Sequence, residues 1–179
     1  MSTRTLLTVN EFLNLPIHEG SVYELSRGEL ITMTPGRPRH NRVRDRLARQ
    51  LMDFVERHKL GEIFVETEFQ LTSDTIRIPD AALVTAAALQ NIDLDQPIPG
   101  APALAIEVVS PNDLAEELAT KVDQYSSAGA AAVWVIYPKA REIHVFQRGK
   151  TMRRLGAGDT LDDATLLPGF SLVVGTLFE

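Results

Sequence analysis

A chain of 179 residues is long enough for one domain with a real core and short for two. It has no cysteine, which excludes disulfides and thiolate metal sites, and no run of about eighteen apolar residues, which argues against a transmembrane helix. A net charge of −6 argues against a general nucleic-acid coat, because polyphosphate affinity comes mainly from Lys and Arg, and leaves room only for a local basic patch. The first residues carry no long apolar core and no small-residue cleavage site, so no secretory signal is expected, and the composition fits a cytoplasmic protein.

Residues 8–15 predict a short helix capped by Thr8 or Asn10 and stopped by Pro16. Residues 21–33 place two β-rich runs around Arg27-Gly28, which reads as an N-terminal β-hairpin with Glu24 and Glu29 on its strands. A solvated strand face explains Glu24 as well as a chemical role does, and explains Glu29 better. Residues 34–39 are a loop. A long amphipathic helix follows from about His40 to Lys59 and ends at Gly61, with an apolar stripe of Val43, Leu47, Leu51, Phe54 and Val55. Arg39, Arg42, Arg46 and Arg49 recur three and four apart on the opposite face. With Arg37 they form the clear basic cluster of the chain, either a phosphate contact or a solvated face. His40 lies near the stripe and reads as a packed or capping histidine.

The rest is rich in strands. Residues 62–71 read as one strand, 73–74 as a turn and 76–84 as a second strand carrying Asp80. Residues 86–101 are a loop or loose helix. A buried strand at 101–111 holds Glu107, and Asn112 or Asp113 caps a helix that runs to about Gly129. Strands follow at 133–137, 142–146 and 151–155, with a last edge strand within 167–174. The order does not alternate as βαβαβ, so a doubly wound nucleotide fold is disfavoured. The expected class is α/β, with helices around a strand-rich centre.

Three charges break this apolar pattern. Glu107 sits in the middle of an apolar strand, and Asp80 stands just before another. An ionised carboxylate is costly to bury unless it is paired, hydrogen-bonded or bound to a metal. The two carboxylates therefore share a cation, or Asp80 caps a bend and Glu107 pairs with a buried Arg or Lys. In the helix after Glu107 the inward stripe is Leu114, Leu118, Tyr125 and Ala128, and Lys121 falls inside it. Lys121 can return towards Glu107, or pair on the helix surface with Glu117 four residues earlier. Carboxylates and a lysine around a divalent ion suit phosphodiester hydrolysis, since magnesium prefers oxygen ligands and a lysine can position the attacking water. No Walker pattern, Gly-x-Ser-x-Gly or His-Glu-x-x-His is present, and the histidines at 18, 40, 58 and 144 lack metal-ligand spacing.

The ordered set Tyr23-Glu24-Leu25, Gly28-Glu29-Leu30, Arg77-Ile78-Pro79-Asp80, Glu107-Val108-Val109-Ser110-Pro111, Lys121, Tyr125 and Trp134-Val135-Ile136-Tyr137-Pro138 resembles the Uma-two family of restriction endonuclease-like domains, within the PD-(D/E)xK superfamily. The resemblance runs from about Thr8 to Phe178. It implies one restriction endonuclease-like domain over residues 1–179, a central mixed β-sheet flanked by helices, often as a homodimer. It implies an endonuclease that hydrolyses DNA with magnesium or manganese. Asp80 and Glu107 would bind the metal, Glu24 would assist, Lys121 would orient the water, and Arg37, Arg39 and Arg42 would guide the phosphate backbone. The superfamily lysine would stand two residues after Glu107, where this chain has Val109, so the resemblance moves that role to Lys121. The rival expectation is a non-catalytic dimeric binding module on the same fold, its carboxylates in a structural ion pair with Lys121.

Overall fold

A computed structural model describes residues 6–16 and 21–179; His18 and the first five residues lie outside the described residues. Helix α1, Val9–Leu13, begins with a capping box. The Thr8 hydroxyl accepts from the Glu11 amide, and the Glu11 carboxylate accepts from the Thr8 amide at 2.8 Å, so Thr8 rather than Asn10 is the cap. Strands β1 (Val22–Ser26) and β2 (Glu29–Met33) form the expected hairpin. Arg27 and Gly28 both adopt positive φ, 50° and 80°, as a two-residue turn with the twist of its strands requires.

Helix α2 spans Pro38–His58, so it starts two residues before the predicted point. Pro38 occupies its first turn, where a fixed φ and a missing N–H cost nothing. Lys59 ends it in the left-handed conformation. Gly61 then opens β3 (Gly61–Val65) with a φ of 149°, and a Cβ there would run into the Val84 carbonyl, so the turn out of the helix needs glycine.

The two long strands expected at 62–71 and 76–84 are each broken. Their pieces are β3, β4 (Phe69–Thr72), β5 (Thr75–Arg77) and β6 (Ala81–Thr85). Glu66, at φ 48°, turns the first run, and Pro79, which has no N–H for a ladder, interrupts the second. The result is a bent hairpin shared by two sheets. Strands β4 and β5 join β1, β2 and β7 (Ile98–Pro99) in a five-stranded sheet ordered β2-β1-β5-β4-β7. Strands β3 and β6 join β8 (Leu104–Val108), β9 (Ala132–Tyr137), β10 (Glu142–Gln147) and β11 (Arg153–Leu155) in a six-stranded sheet ordered β11-β10-β9-β8-β6-β3. That second sheet is mixed. Its β8 and β9 are parallel, joined through α4 (Ala115–Ala128), and its other pairs are antiparallel. Residues 86–101 hold a short helix α3 (Ala86–Leu89) as well as β7, and the tail makes a hairpin of β12 (Thr160–Asp163) and β13 (Leu167–Val173) before a 3₁₀ helix at Val174–Phe178. Among the described residues no helix is long and apolar enough to cross a membrane.

Alternation along β8 sets the site. Leu104, Ile106 and Val108 belong to one core cluster with Val43, Leu47 and Trp134. Ala105 belongs to the other, with Tyr125 of α4. Side chains two apart share a face, so Glu107 turns towards α4. Leu114 does not join the inward stripe. It is 68% exposed and is itself the N-cap of α4, in place of Asn112 or Asp113. The Asp113 carboxylate instead accepts from the Ser110 amide at 2.7 Å, tying the turn after β8.

Candidate active site

Asp80 stands where the bent hairpin passes from one sheet to the other. Its carboxylate accepts from the Val108 amide at 2.6 Å, which fixes it against the end of β8. The His40 Nε2, on the first turns of α2, lies 3.1 Å from Asp80 Oδ1 and 3.2 Å from Oδ2. Its Nδ1 lies 3.2 Å from the Asn41 amide oxygen. The loop before α2 packs so close that a Cβ on Gly36 would come within 2.6 Å of that Nδ1.

Glu107 meets α4. The Tyr125 hydroxyl donates to its Oε1 at 2.8 Å, and the Lys121 ammonium lies 3.4 and 3.3 Å from its two oxygens. Lys121 and Tyr125 are four apart on one helix face, which is why both reach one carboxylate. Lys121 also donates to Glu24 Oε1 at 3.0 Å, so among the described residues its partners are Glu24 and Glu107 rather than Glu117.

Glu24 is fully buried and has three donors: Lys121, the Ile78 amide at 2.8 Å and Arg77 Nη1 at 2.7 Å. Arg77, also fully buried, spreads its remaining donors to Gln124 Oε1 at 2.6 Å and Ser26 Oγ at 2.9 Å. A fork of fixed donors suits such a buried junction. The hairpin strand β1, the bent hairpin and α4 are thereby tied through one guanidinium.

A cavity of about 620 Å³ opens over this network, and Asp80, Glu107, Lys121, His40 and Arg44 line it. Glu24 does not line it. Its contact with the cavity runs through Lys121. Of the predicted arginines, Arg37 borders an adjoining depression with Gly36 and Ser110. Arg39 and Arg42 are exposed on α2 and line neither hollow, and Arg46 reaches the Leu177 carbonyl at 3.4 Å. Arg44, absent from the predicted set, lies four residues after His40 and pairs with Asp45 at 2.8 Å and with Glu66.

Sequence reasoning missed the chemistry of His40 and Arg77. An arginine between Ile76 and Ile78 is the same kind of anomaly as Glu107 in β8, and that was the available signal.

The electrostatics follow from burial. Desolvation pushes the Glu107 carboxyl up to about 7; Lys121 opposes this, Asp80 and Glu24 add to it, and the Tyr125 hydrogen bond opposes it. Burial pulls Lys121 down, but Glu107 and Glu24 outweigh it and hold the ammonium above the ordinary lysine value. Burial, then the charges of Glu107 and Glu24, push the Tyr125 phenol well up, so it donates at neutral pH. Burial lowers His40, and the Asp80 carboxylate more than restores it, so the ring ends raised.

Glu107 gives a sign that can be tested. Its folded value lies above the unfolded one, so its contribution to stability is full below about 4.5 and is lost as pH rises through about 7. Glu107→Gln carries no charge at any pH. In metal-free buffer it should therefore gain on the wild type between pH 5 and pH 8, by up to about 3 kcal/mol in urea unfolding. A gap between the two proteins that stays constant with pH would refute this burial account.

Among curated proteins none matches this chain. Among solved structures, a crystal structure of a putative nuclease belonging to DUF820 from Anabaena variabilis superposes with a TM-score of 0.84 at 18% identity, over 96% of this chain and 97% of that one. That likeness shows a shared fold. A DrdV–DNA complex aligns at a TM-score of 0.42 and 18% identity, over 76% of this chain and 79% of the other, too weakly to carry an argument. A family model described as "putative restriction endonuclease" matches residues 9–175, nearly the whole length, and on that match the chain belongs to the Uma2 family.

Proposed function

We propose that this chain is an endonuclease that hydrolyses DNA phosphodiester bonds with a divalent cation, magnesium or manganese. The observation that carries the reading is the Lys121 ammonium, 3.3 Å from Glu107, in a cavity that Asp80 also lines. The donor set fits such an ion. Asp80 and Glu107, which line the cavity, are hard oxygen donors, and Glu24 lies behind them on Lys121. Among the described residues no three His, Asp or Glu side chains cage an ion by themselves, so part of the ion's shell would be left to water or substrate, as magnesium prefers. When bound, the cation supplies Lewis acidity towards a phosphodiester.

The chain's own groups divide the remaining work. Asp80 and Glu107 would hold the ion. Glu24 assists by fixing Lys121. Lys121 stays an ammonium at neutral pH, so it orients the attacking water and offsets charge developing on the phosphate, and it does not remove the proton. Arg37 guides the strand at the rim, and Arg39 and Arg42 meet phosphates beyond the cavity. The unit is a single domain over residues 1–179 that acts in the cytoplasm as a homodimer. The test is cleavage of a mixture of single-stranded and duplex DNA at millimolar magnesium or manganese. Cleavage should vanish with a chelator and in Asp80→Asn. Cleavage that survives Asp80→Asn, or none with either metal, would overturn the reading.

The ion pairs favour one rival, a non-catalytic dimeric binding module in which Lys121 only balances Glu24 and Glu107. Thermal melting separates the two. A ligand that binds only the folded chain raises its midpoint. The hydrolase reading expects manganese to raise the wild-type midpoint and not that of Asp80→Asn; no wild-type shift supports the module.

A further inference from the structure

We infer that the DNA entering this cavity is an unpaired strand, an inference that rests on the hydrolytic reading above. The groups assigned to the chemistry are recessed: the side chains of Asp80, Glu107 and Lys121 are 13%, 9% and 10% exposed. A scissile phosphate must enter the cavity to meet them.

The wall beside them is apolar. Val22, Ile31 and Met33 of the hairpin, with Ile78 and Leu118, line the same space as Asp80 and Lys121. Val22 is 52% exposed, so its apolar side chain is open to whatever enters the space. A duplex keeps its bases stacked and offers a cavity only phosphate and sugar, which have no use for such a wall. A single strand can lay the face of an unstacked base on it.

The supply of cations points the same way. Duplex DNA carries a charge about every 1.7 Å, and a duplex binder that relies on it makes roughly 6–10 phosphate contacts. The cavity and its adjoining depression offer Arg37, Arg44 and Lys121, and the last two already face carboxylates. Glu66, Asp113 and Glu117 line the cavity as well, and they repel a dense polyanion. The exposed arginines Arg39 and Arg42 line neither hollow. Residues 34–36, with Ser110 and Asn112, border both the cavity and the depression, so Arg37 stands beside the loops at the cavity's edge. One strand, with half the charge density of a duplex, suits so small a supply of cations.

The experiment compares one labelled oligonucleotide, single-stranded and annealed to its complement, with the full chain and manganese. The single strand should be cut at least about tenfold faster, the scale of one stacked base. A duplex cut as fast or faster overturns this inference and leaves the hydrolytic reading standing. If neither is cut, the hydrolytic reading falls, and the preference is read instead from fluorescence anisotropy of both DNAs on Asp80→Asn; duplex binding as tight as single-strand binding overturns the inference there too. Val22→Asp should weaken single-strand binding about fivefold with the melting temperature unchanged, and undiminished binding would overturn the role of the apolar wall.

Discussion

Glu24→Ala should lower the folding free energy by about 3–5 kcal/mol, the largest loss of stability from any single change at this site. The reason is what it leaves behind. Among the described residues, the fully buried Arg77 would lose its one carboxylate, the Ile78 amide would lose its acceptor, and Lys121 would keep Glu107 alone. A buried charge without its partner costs far more than the intact pair contributes. Arg77→Met should also destabilise, because the buried Glu24 loses one of its two charged partners among the described residues and keeps Lys121 and the Ile78 amide. The double variant should lose clearly less than the sum of the two, since it removes both charges together. Urea unfolding of the four proteins checks this. A Glu24→Ala loss below about 1 kcal/mol would show that the network is not what ties β1, the bent hairpin and α4 together.

Lys121→Met should cut the single-turnover rate of DNA cleavage by about 10²–10³, the usual effect of removing one preorganised donor from the site of developing charge. Among the described residues Lys121 meets only the two carboxylates, so of its three N–H donors at most one is left to face water in the cavity. The loss should fall on the rate rather than on DNA affinity, because the ammonium is recessed below the rim where Arg37 stands. A rate within tenfold of wild type would remove Lys121 from the chemistry and leave it as a counter-ion.

The charged residues that line the cavity were the most legible part of the sequence. Asp80, Glu107 and Lys121 violate the apolar pattern of their own elements, and such a violation is visible locally. The spacing of Lys121 and Tyr125 placed both on one face of α4, and both meet Glu107. The hairpin around Arg27-Gly28 was legible because its turn chemistry is local too. What escaped depends on partners far along the chain. Arg77 and Glu24 are 53 residues apart, so nothing near either one announces their pairing. His40 does pack, as its place near the stripe suggested, but a helix face cannot say that Asp80 lies across from it. Pro79 was a local signal for the second break, while nothing near Glu66 announced the first. Alternation tells which side chains share a face, not which sheet a strand joins. So residues 62–71 and 76–84 read as two strands, while the fold uses the bend between them to put Asp80 at the junction of both sheets. The basic stripe of Arg39, Arg42, Arg46 and Arg49 lies on one face of α2, and that face is not the one that carries His40 and Arg44 to the cavity.

Everything proposed for the reaction requires Asp80 and Glu107 to share one divalent ion beside Lys121. The direct measurement is anomalous diffraction from crystals soaked in manganese. A single strong peak within coordination distance of an oxygen of each carboxylate, lost in Asp80→Asn crystals, is the expected result. A peak elsewhere, or none at saturating manganese, would contradict it.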